Sequence, residues 1–172
     1  MITTLILFFT WINGLSYEQP VKEESFVNFS LVNAGFEVSG TLQIARLDIS
    51  FDPQNLAKSS VLVSVDPSSV KTGITVRDKH LKRSDYFDVS RYPEIQLKSR
   101  SFKKTGRSAF VGRFDLTIKD ITRSVEIPFT ARKDKSGMLY EVRFKINRLD
   151  FKLGEDSLIL EDEVEVGAVI RD

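Results

Sequence analysis

His80 is the only histidine of the chain, and it lies in a segment that is dense in charged and aromatic side chains. The segment spans residues 77–93 and reads R-D-K-H-L-K-R-S-D-Y-F-D-V-S-R-Y-P. An enzyme could use His80 as a general base that a nearby carboxylate orients. The carboxylates of the segment that could do so are Asp78, Asp85 and Asp88. A hydrolase or isomerase that uses this histidine with an aspartate is therefore one function class to be tested.

The rest of the sequence lacks the partners that common catalytic and metal sites need. It contains no G-x-S-x-G motif, which marks the nucleophile of many hydrolases. It also has no cysteine and no second histidine, which zinc sites of the usual kind require. We therefore predict no catalytic residue, no metal and no cofactor.

Arg77, Asp78 and His80 also have interpretations that involve no catalysis. Arg77 and Asp78 are neighbours in sequence, so they point in different directions if the segment is helical. Each fits a structural ion pair or a helix cap, and each also fits an anchor for the head group of a ligand. His80 fits either a hydrogen bond to the backbone or contact with such a head group. For each of these three residues, both a structural role and contact with a ligand head group therefore remain open.

The composition is that of an ordinary globular protein. The chain has 172 residues, which favours one domain, and 41% of them are hydrophobic and 28% charged. Lys and Arg total 25 against 24 Asp and Glu, so no basic surplus points to a nucleic-acid partner. Without cysteine, no disulfide framework stabilises the fold.

The N-terminus carries a short apolar run, residues 2–12, which reads I-T-T-L-I-L-F-F-T-W-I. A bilayer-spanning helix needs roughly 20 apolar residues, so this run is too short to cross a membrane. Its length is typical of a signal peptide, and the small residues Gly14 and Ser16 follow it, although no Lys or Arg precedes it. We expect a signal peptide over residues 1–16, a single domain over residues 17–172, and a periplasmic or secreted protein without stable membrane insertion.

After this run, apolar and polar residues alternate with a period of two, which predicts about eight strands that each have one apolar face. The parity changes between Ile44 and Leu47, which predicts a bulge, and Gly40 marks another bulge or bend. Pro128 predicts a bulge or a nearby sheet edge. One-sided strands with short turns favour an antiparallel sheet, and about eight of them favour a sandwich or a closed barrel. Helical spacing occurs only over residues 74–88.

Several motifs in order resemble those of the YceI family of lipocalin-like polyisoprenoid-binding proteins. The first combines residues 69–73 (S-V-K-T-G) with the segment 77–93 that contains His80. Residues 112–122 (G-R-F-D-L-T-I-K-D-I-T) are similar to the family hairpin G-x-L-T-I-x-G-x-T, and residues 147–151 and 161–164 are similar to its closing segments. The resemblance implies an all-β fold, an antiparallel eight-stranded lipocalin-like barrel with a short helical segment at one end.

The resemblance also implies a function, which is non-catalytic binding of a polyisoprenoid or similar long-chain amphiphile in an apolar tunnel. The ligand would be of the isoprenoid quinone or prenyl phosphate type, and an isoprenoid lipid would be the main partner; a homodimer stays open. Phe supplies 13 of the 18 aromatic residues and has no polar group, so it suits either a filled core or such a tunnel. We expect these residues to line the tunnel: Phe29, Phe36, Val38, Val63, Leu81, Phe87, Phe110, Phe114, Leu116, Phe129, Val142 and Phe144.

Two other function classes remain alongside lipid binding. One is the hydrolase or isomerase that uses His80 with an aspartate. The other is a stress-related interaction module whose barrel interior is filled by its own side chains. A continuous internal tunnel would argue against the filled module, and a copurified lipid would favour the binding protein.

Overall fold

The structure, a computed structural model, describes residues 25–135 and 137–171. Eight strands follow one another around a closed antiparallel barrel, and β1 pairs with β8 to close it. The strands are β1 (Phe26–Asn33), β2 (Phe36–Ser50), β3 (Ser60–Lys71), β4 (Ile95–Lys104), β5 (Ala109–Ile118), β6 (Ile121–Asp134), β7 (Gly137–Asn147) and β8 (Glu163–Arg171). The predicted fold class is therefore confirmed.

The two ends of the barrel are built differently, because alternate connections of an up-and-down barrel lie at the same end. One end carries the long connections, residues 72–94 between β3 and β4 and residues 148–162 between β7 and β8, and we call it the helix end. The opposite end carries residues 51–59, the 105–108 turn and the β6–β7 turn. The helix end therefore has enough chain to form a roof, and the opposite end has little.

One helix, α1 (Thr75–Leu81), lies in the β3–β4 connection, and two short 3-10 turns occupy Leu56–Lys58 and Arg148–Phe151. The helix is much shorter than the helical spacing over residues 74–88 predicts. It ends at Leu81, and the chain continues through tight turns in which Asp88 has a positive φ of 49°.

Strand β2 changes register against β3 twice, just after Thr41 and between Ile44 and Arg46. The second shift is the bulge that the parity change before Leu47 predicts, and this prediction is confirmed. At Gly40, an added β-carbon would lie 2.8 Å from a backbone oxygen of β3, so only glycine allows this close approach. Such irregularities increase strand twist and help the sheet to close.

Strands β6 and β7 separate toward the helix end, because their pairing extends no farther than Phe129 and Val142. Pro128, the next residue of β6, pairs with β5 without a register shift and has no N–H to offer to β7. Pro128 therefore does not form a bulge against β5. The other expectation, a nearby sheet edge, fits better, because β6 has no pairing with β7 at this residue. The 3-10 turn that contains Phe151 packs against β6 in this region, and Phe151 is fully buried.

Aromatic side chains close the barrel at the end opposite the helix. The ring of Phe51 makes edge-to-face contacts with Phe102, Phe110, Phe129 and Tyr140, with centroid separations of 5.3, 5.1, 5.3 and 6.0 Å. Such edge-to-face pairs add to the stability that burial of the rings provides. We call these five residues the aromatic plug, and it forms the floor of the barrel interior.

The expected signal peptide over residues 1–16 lies outside the described residues. Within the part of the chain that the structure describes, no helix has the length and apolar character needed to cross a bilayer.

Candidate functional site

An apolar cavity of about 420 Å³ lies inside the barrel, between the aromatic plug and the roof at the helix end. All eight strands contribute side chains to its wall, because alternate residues of each strand point inward. Cavities of a few hundred cubic ångströms are typical of sites for small apolar ligands. The barrel interior is therefore only partly filled by its own side chains.

Most of the residues that we expect to line a tunnel do lie on the cavity wall. Strand alternation places the strand residues there, and the turns after β3 add Leu81 and Phe87. The ten residues are Phe29, Val38, Val63, Leu81, Phe87, Phe114, Leu116, Phe129, Val142 and Phe144.

The structure corrects the expected positions of Phe36 and Phe110. Phe36 has the inward parity of Leu31 and Val38, but it is the first residue of β2 at a hairpin tip and is 76% exposed. At this end of the hairpin its ring is left largely in solvent and is not part of the cavity wall. Phe110 points inward and is 1% exposed, but its ring stacks on Phe129 within the aromatic plug, below the cavity.

Arg77 lies on the cavity wall at the helix end, and Thr72 holds its guanidinium in place. Arg77 Nε donates to Thr72 Oγ1 at 2.8 Å, and Nη2 donates to the Thr72 carbonyl oxygen at 2.9 Å. The carboxylate of Asp78 instead accepts from the backbone N–H of Thr72 at 2.8 Å and from its hydroxyl at 2.5 Å. Asp78 therefore ties the start of α1 to the end of β3; it lies beside the wall residue Thr72 but does not itself line the cavity.

His80 also lies on the cavity wall, but a carboxylate and a ring already occupy its surroundings. Its Nε2 lies 3.1 Å from Asp85 Oδ2, and both side chains are about half exposed. The ring of Tyr86 meets the imidazole edge-on with centroids 5.0 Å apart. Among the described residues, no group of three His, Asp or Glu side chains is placed to hold a metal ion. His80 and Asp85 thus form an exposed ion pair when the imidazole is protonated.

The β3–β4 and β7–β8 connections, which form the roof of the cavity, are held together by close packing. Gly154, with φ of +73°, donates its N–H to the carbonyl oxygen of Asp85 at 2.8 Å. The Tyr86 ring lies where a side chain at Gly154 would be, 2.8 Å from an ideal β-carbon. Lys119 Nζ donates to the carbonyl oxygen of Lys152 at 2.5 Å, and burial lowers the pKa of Lys119 below its ordinary value. These contacts join three connections into one roof.

Arg148 organises the second half of this roof, a role that our sequence analysis missed. Its side chain is almost fully buried, and it donates to backbone carbonyl oxygens of the loop that follows it. The acceptors are Leu153 at 3.0 Å, Glu155 at 2.7 Å, Glu161 at 3.1 Å and Leu160 at 3.4 Å. Nη2 also lies 2.8 Å from Asp162 Oδ1 as an ion pair, although the alignment is not that of a hydrogen bond. The guanidinium therefore replaces the hydrogen bonds that this irregular loop cannot make with itself.

Curated relatives match part of this chain. A UPF0312 protein of Photorhabdus laumondii is 34% identical over 104 residues, which is 60% of this chain and 54% of that protein. Protein YceI of Escherichia coli is 33% identical over 106 residues, 61% of this chain and 55% of that protein. The matched part therefore spans about half the length of these relatives.

Solved structures share the fold. BcnA of Burkholderia cenocepacia superposes with a TM-score of 0.79 at 22% identity, covering 84% of this chain and 94% of that one. A polyisoprenoid-binding domain from Saccharophagus degradans superposes with a TM-score of 0.63 at 13% identity, covering 84% and 91%. The sequence profile of the YceI-like domain matches residues 19–171, nearly the whole chain. The chain therefore belongs to the YceI-like domain family.

Proposed function

We propose that the barrel binds the apolar chain of a polyisoprenoid or similar long-chain amphiphile, and that it does so without catalysis. The observation that carries this proposal is the apolar cavity between the aromatic plug and the roof, to which all eight strands contribute. An empty apolar cavity is poorly hydrated and accepts apolar guests. The polyisoprenoid-binding domain from Saccharophagus degradans, which has the same fold, is a precedent for this use of the architecture.

The orientation of the ligand follows from where the polar groups lie. The floor is formed by aromatic rings, whereas Arg77 and His80 belong to the wall at the helix end. The apolar chain therefore points toward the plug and the head group toward the roof. Each buried methylene contributes about 0.8 kcal/mol, so a few isoprene units outweigh the cost of ordering the ligand.

Two steps test this function. Protein purified from its native host is denatured and extracted with organic solvent, and mass spectrometry of the extract identifies any bound lipid. Prenyl alcohols of increasing length then displace a fluorescent apolar probe from protein that has been stripped and refolded. We expect a prenyl lipid in the extract and tighter binding as the chain lengthens, up to a limit set by the cavity.

The variant Phe114→Trp tests whether the ligand occupies the cavity. Phe114 is 5% exposed and lies on the cavity wall, so a larger ring there shortens the longest chain that fits. The matched control is Phe26→Trp, which adds the same volume to an outward position of β1. If Phe114→Trp folds and binds every chain length as the wild type does, the ligand does not occupy this cavity and the proposal is wrong.

A further inference from the structure

The two arginines that line the cavity, among the described residues, differ in how far their charges are compensated. Arg148 is saturated by loop carbonyl groups and by Asp162. Arg77 is half-buried, and no carboxylate of the described residues lies within ion-pair distance of its guanidinium. A cation beside an apolar cavity is therefore left without a carboxylate in direct contact.

The hydrogen bonds of Arg77 fix its position and leave donors unused. Nε and Nη2 each donate to Thr72, one to the hydroxyl and one to the carbonyl oxygen. No hydrogen bond joins Nη1 to any residue in the described part of the chain. Because Thr72 holds the planar group at one edge, the free N–H groups are oriented before a ligand arrives. Preorganised donors lose less entropy on binding than flexible ones.

The neighbouring charged groups do not take this role. The Asp78 carboxylate reaches Arg77 only through the Thr72 hydroxyl, which donates to Asp78 Oδ1 and accepts from Arg77 Nε. The Nε2 atom of His80 faces Asp85 at 3.1 Å. Of the three residues that the sequence suggests for a head group, Arg77 brings a positive charge with unused donors to the cavity wall, whereas His80 faces Asp85.

We infer that Arg77 binds an acidic head group, a carboxylate or a phosphate, of the amphiphile whose chain occupies the cavity. This inference rests on the proposed function and adds the chemical class of the head group. An arginine fork matches the oxygen atoms of both groups, and such charge-assisted hydrogen bonds are stronger than neutral ones. A neutral alcohol or amide of equal chain length would leave the arginine uncompensated.

The test compares four probes on the same protein by displacement of a fluorescent apolar dye. Farnesoic acid and farnesyl phosphate carry an acidic head on a farnesyl chain, farnesol carries a neutral head on that chain, and inorganic phosphate carries the anion alone. We expect the acidic lipids to bind about tenfold more tightly than farnesol, since hydrogen bonds to charged groups are the strong ones. Inorganic phosphate alone should not displace the dye.

Two variants assign this preference to Arg77. In Arg77→Gln the ratio of acidic-lipid affinity to farnesol affinity should fall to about one, and Arg77→Lys should retain part of the preference. The matched control is Lys79→Gln, which removes one positive charge from the exposed side of the same helix. Circular dichroism melting confirms that each variant is folded, and Arg77→Lys carries the test if Arg77→Gln is not.

The possible failures are distinguishable. If acid and alcohol bind the wild type equally, or if Arg77→Gln weakens both alike, Arg77 only supports the roof and the inference is wrong while the proposed function stands. If Lys79→Gln removes the preference as fully as Arg77→Gln, the preference reflects general charge and the inference is also wrong. If inorganic phosphate alone displaces the dye, the Arg77 site binds a free anion and the inference of a lipid head group is wrong. If no farnesyl probe binds, the proposed function fails and this inference fails with it.

Discussion

The ring of Phe114 lies over Gly112 on the inner face of β5. An ideal β-carbon at Gly112 would be 2.3 Å from Phe114 Cε2 and 3.1 Å from a ring atom of Phe102. The absence of a side chain at Gly112 is therefore what lets the Phe114 ring lie flat along the strand and keeps it out of the lumen.

We expect Gly112→Ala to push the Phe114 ring into the cavity. Overpacking of this kind costs about 1–3 kcal/mol of stability, and the displaced ring should also shorten the longest prenyl chain that binds. Urea unfolding and a displacement series measure the two effects. The control is Gly167→Ala in β8, where an added β-carbon would meet only Val142 O at 3.5 Å. Equal stability of Gly112→Ala and wild type would contradict the account of this contact.

Alternation along each strand is sufficient to predict most of the cavity wall, because the period of two is a property of the strand itself. The parity change before Leu47 likewise predicts the bulge in β2. Alternation does not reveal where a wall ends, so the prediction for Phe36 is wrong: it has the right parity but begins β2 at the hairpin tip and is largely exposed. Nor does alternation distinguish a cavity wall from a packed floor. The sequence therefore could not show that Phe110 belongs to the aromatic plug.

The roof could not be predicted in the same way, since its contacts depend on loop backbone. Arg148 binds carbonyl oxygens, which every residue has, so no residue type in the 153–162 loop signals its role. The position of Asp78 could not be predicted for the same reason. Its sequence neighbour Arg77 suggests a shared function, but the Asp78 carboxylate accepts hydrogen bonds from Thr72 instead.

We expect Arg148→Met to be one of the most destabilising changes outside the strands. The change keeps the bulk of the side chain but leaves several loop carbonyl groups and the carboxylate of Asp162 without their cation. A buried acceptor that is left without its hydrogen-bond donor costs about 1–3 kcal/mol. Urea unfolding measures the loss, and limited proteolysis should cut first within residues 153–162.

The control for Arg148 is Arg143→Met on β7. Arg143 lies 3.3 Å from Glu165, but its side chain is 79% exposed, so losing this pair should cost less than about 1 kcal/mol. If the two variants are equally stable, the buried guanidinium does not anchor the roof.

The β1–β2 turn offers a test of backbone strain. Ala34 and Gly35 have φ values of 51° and 80°, so the two-residue turn is of the type that favours residues tolerant of positive φ. Because a left-handed conformation costs an L-residue about 1–2 kcal/mol, Ala34→Gly should stabilise the protein by about 0.5–1 kcal/mol. The same substitution at Ala45, the exposed bulge residue of β2, which has no positive φ, should destabilise by about 0.5–1 kcal/mol. Melting curves that shift in the same direction for both would refute the strain argument.

Substitution of His80 distinguishes a binding protein from a hydrolase or isomerase. The pair of His80 with Asp85 is about half exposed, and exposed ion pairs contribute at most about 1 kcal/mol. His80→Ala should therefore change the affinity for a prenyl lipid by no more than about fivefold, and Asp85→Asn should behave alike. Wild-type protein incubated with prenyl esters and prenyl diphosphates, followed by mass spectrometry, should return the substrates unchanged. A reproducible turnover that His80→Ala abolishes, with binding retained, would instead make His80 the general base and overturn the non-catalytic function.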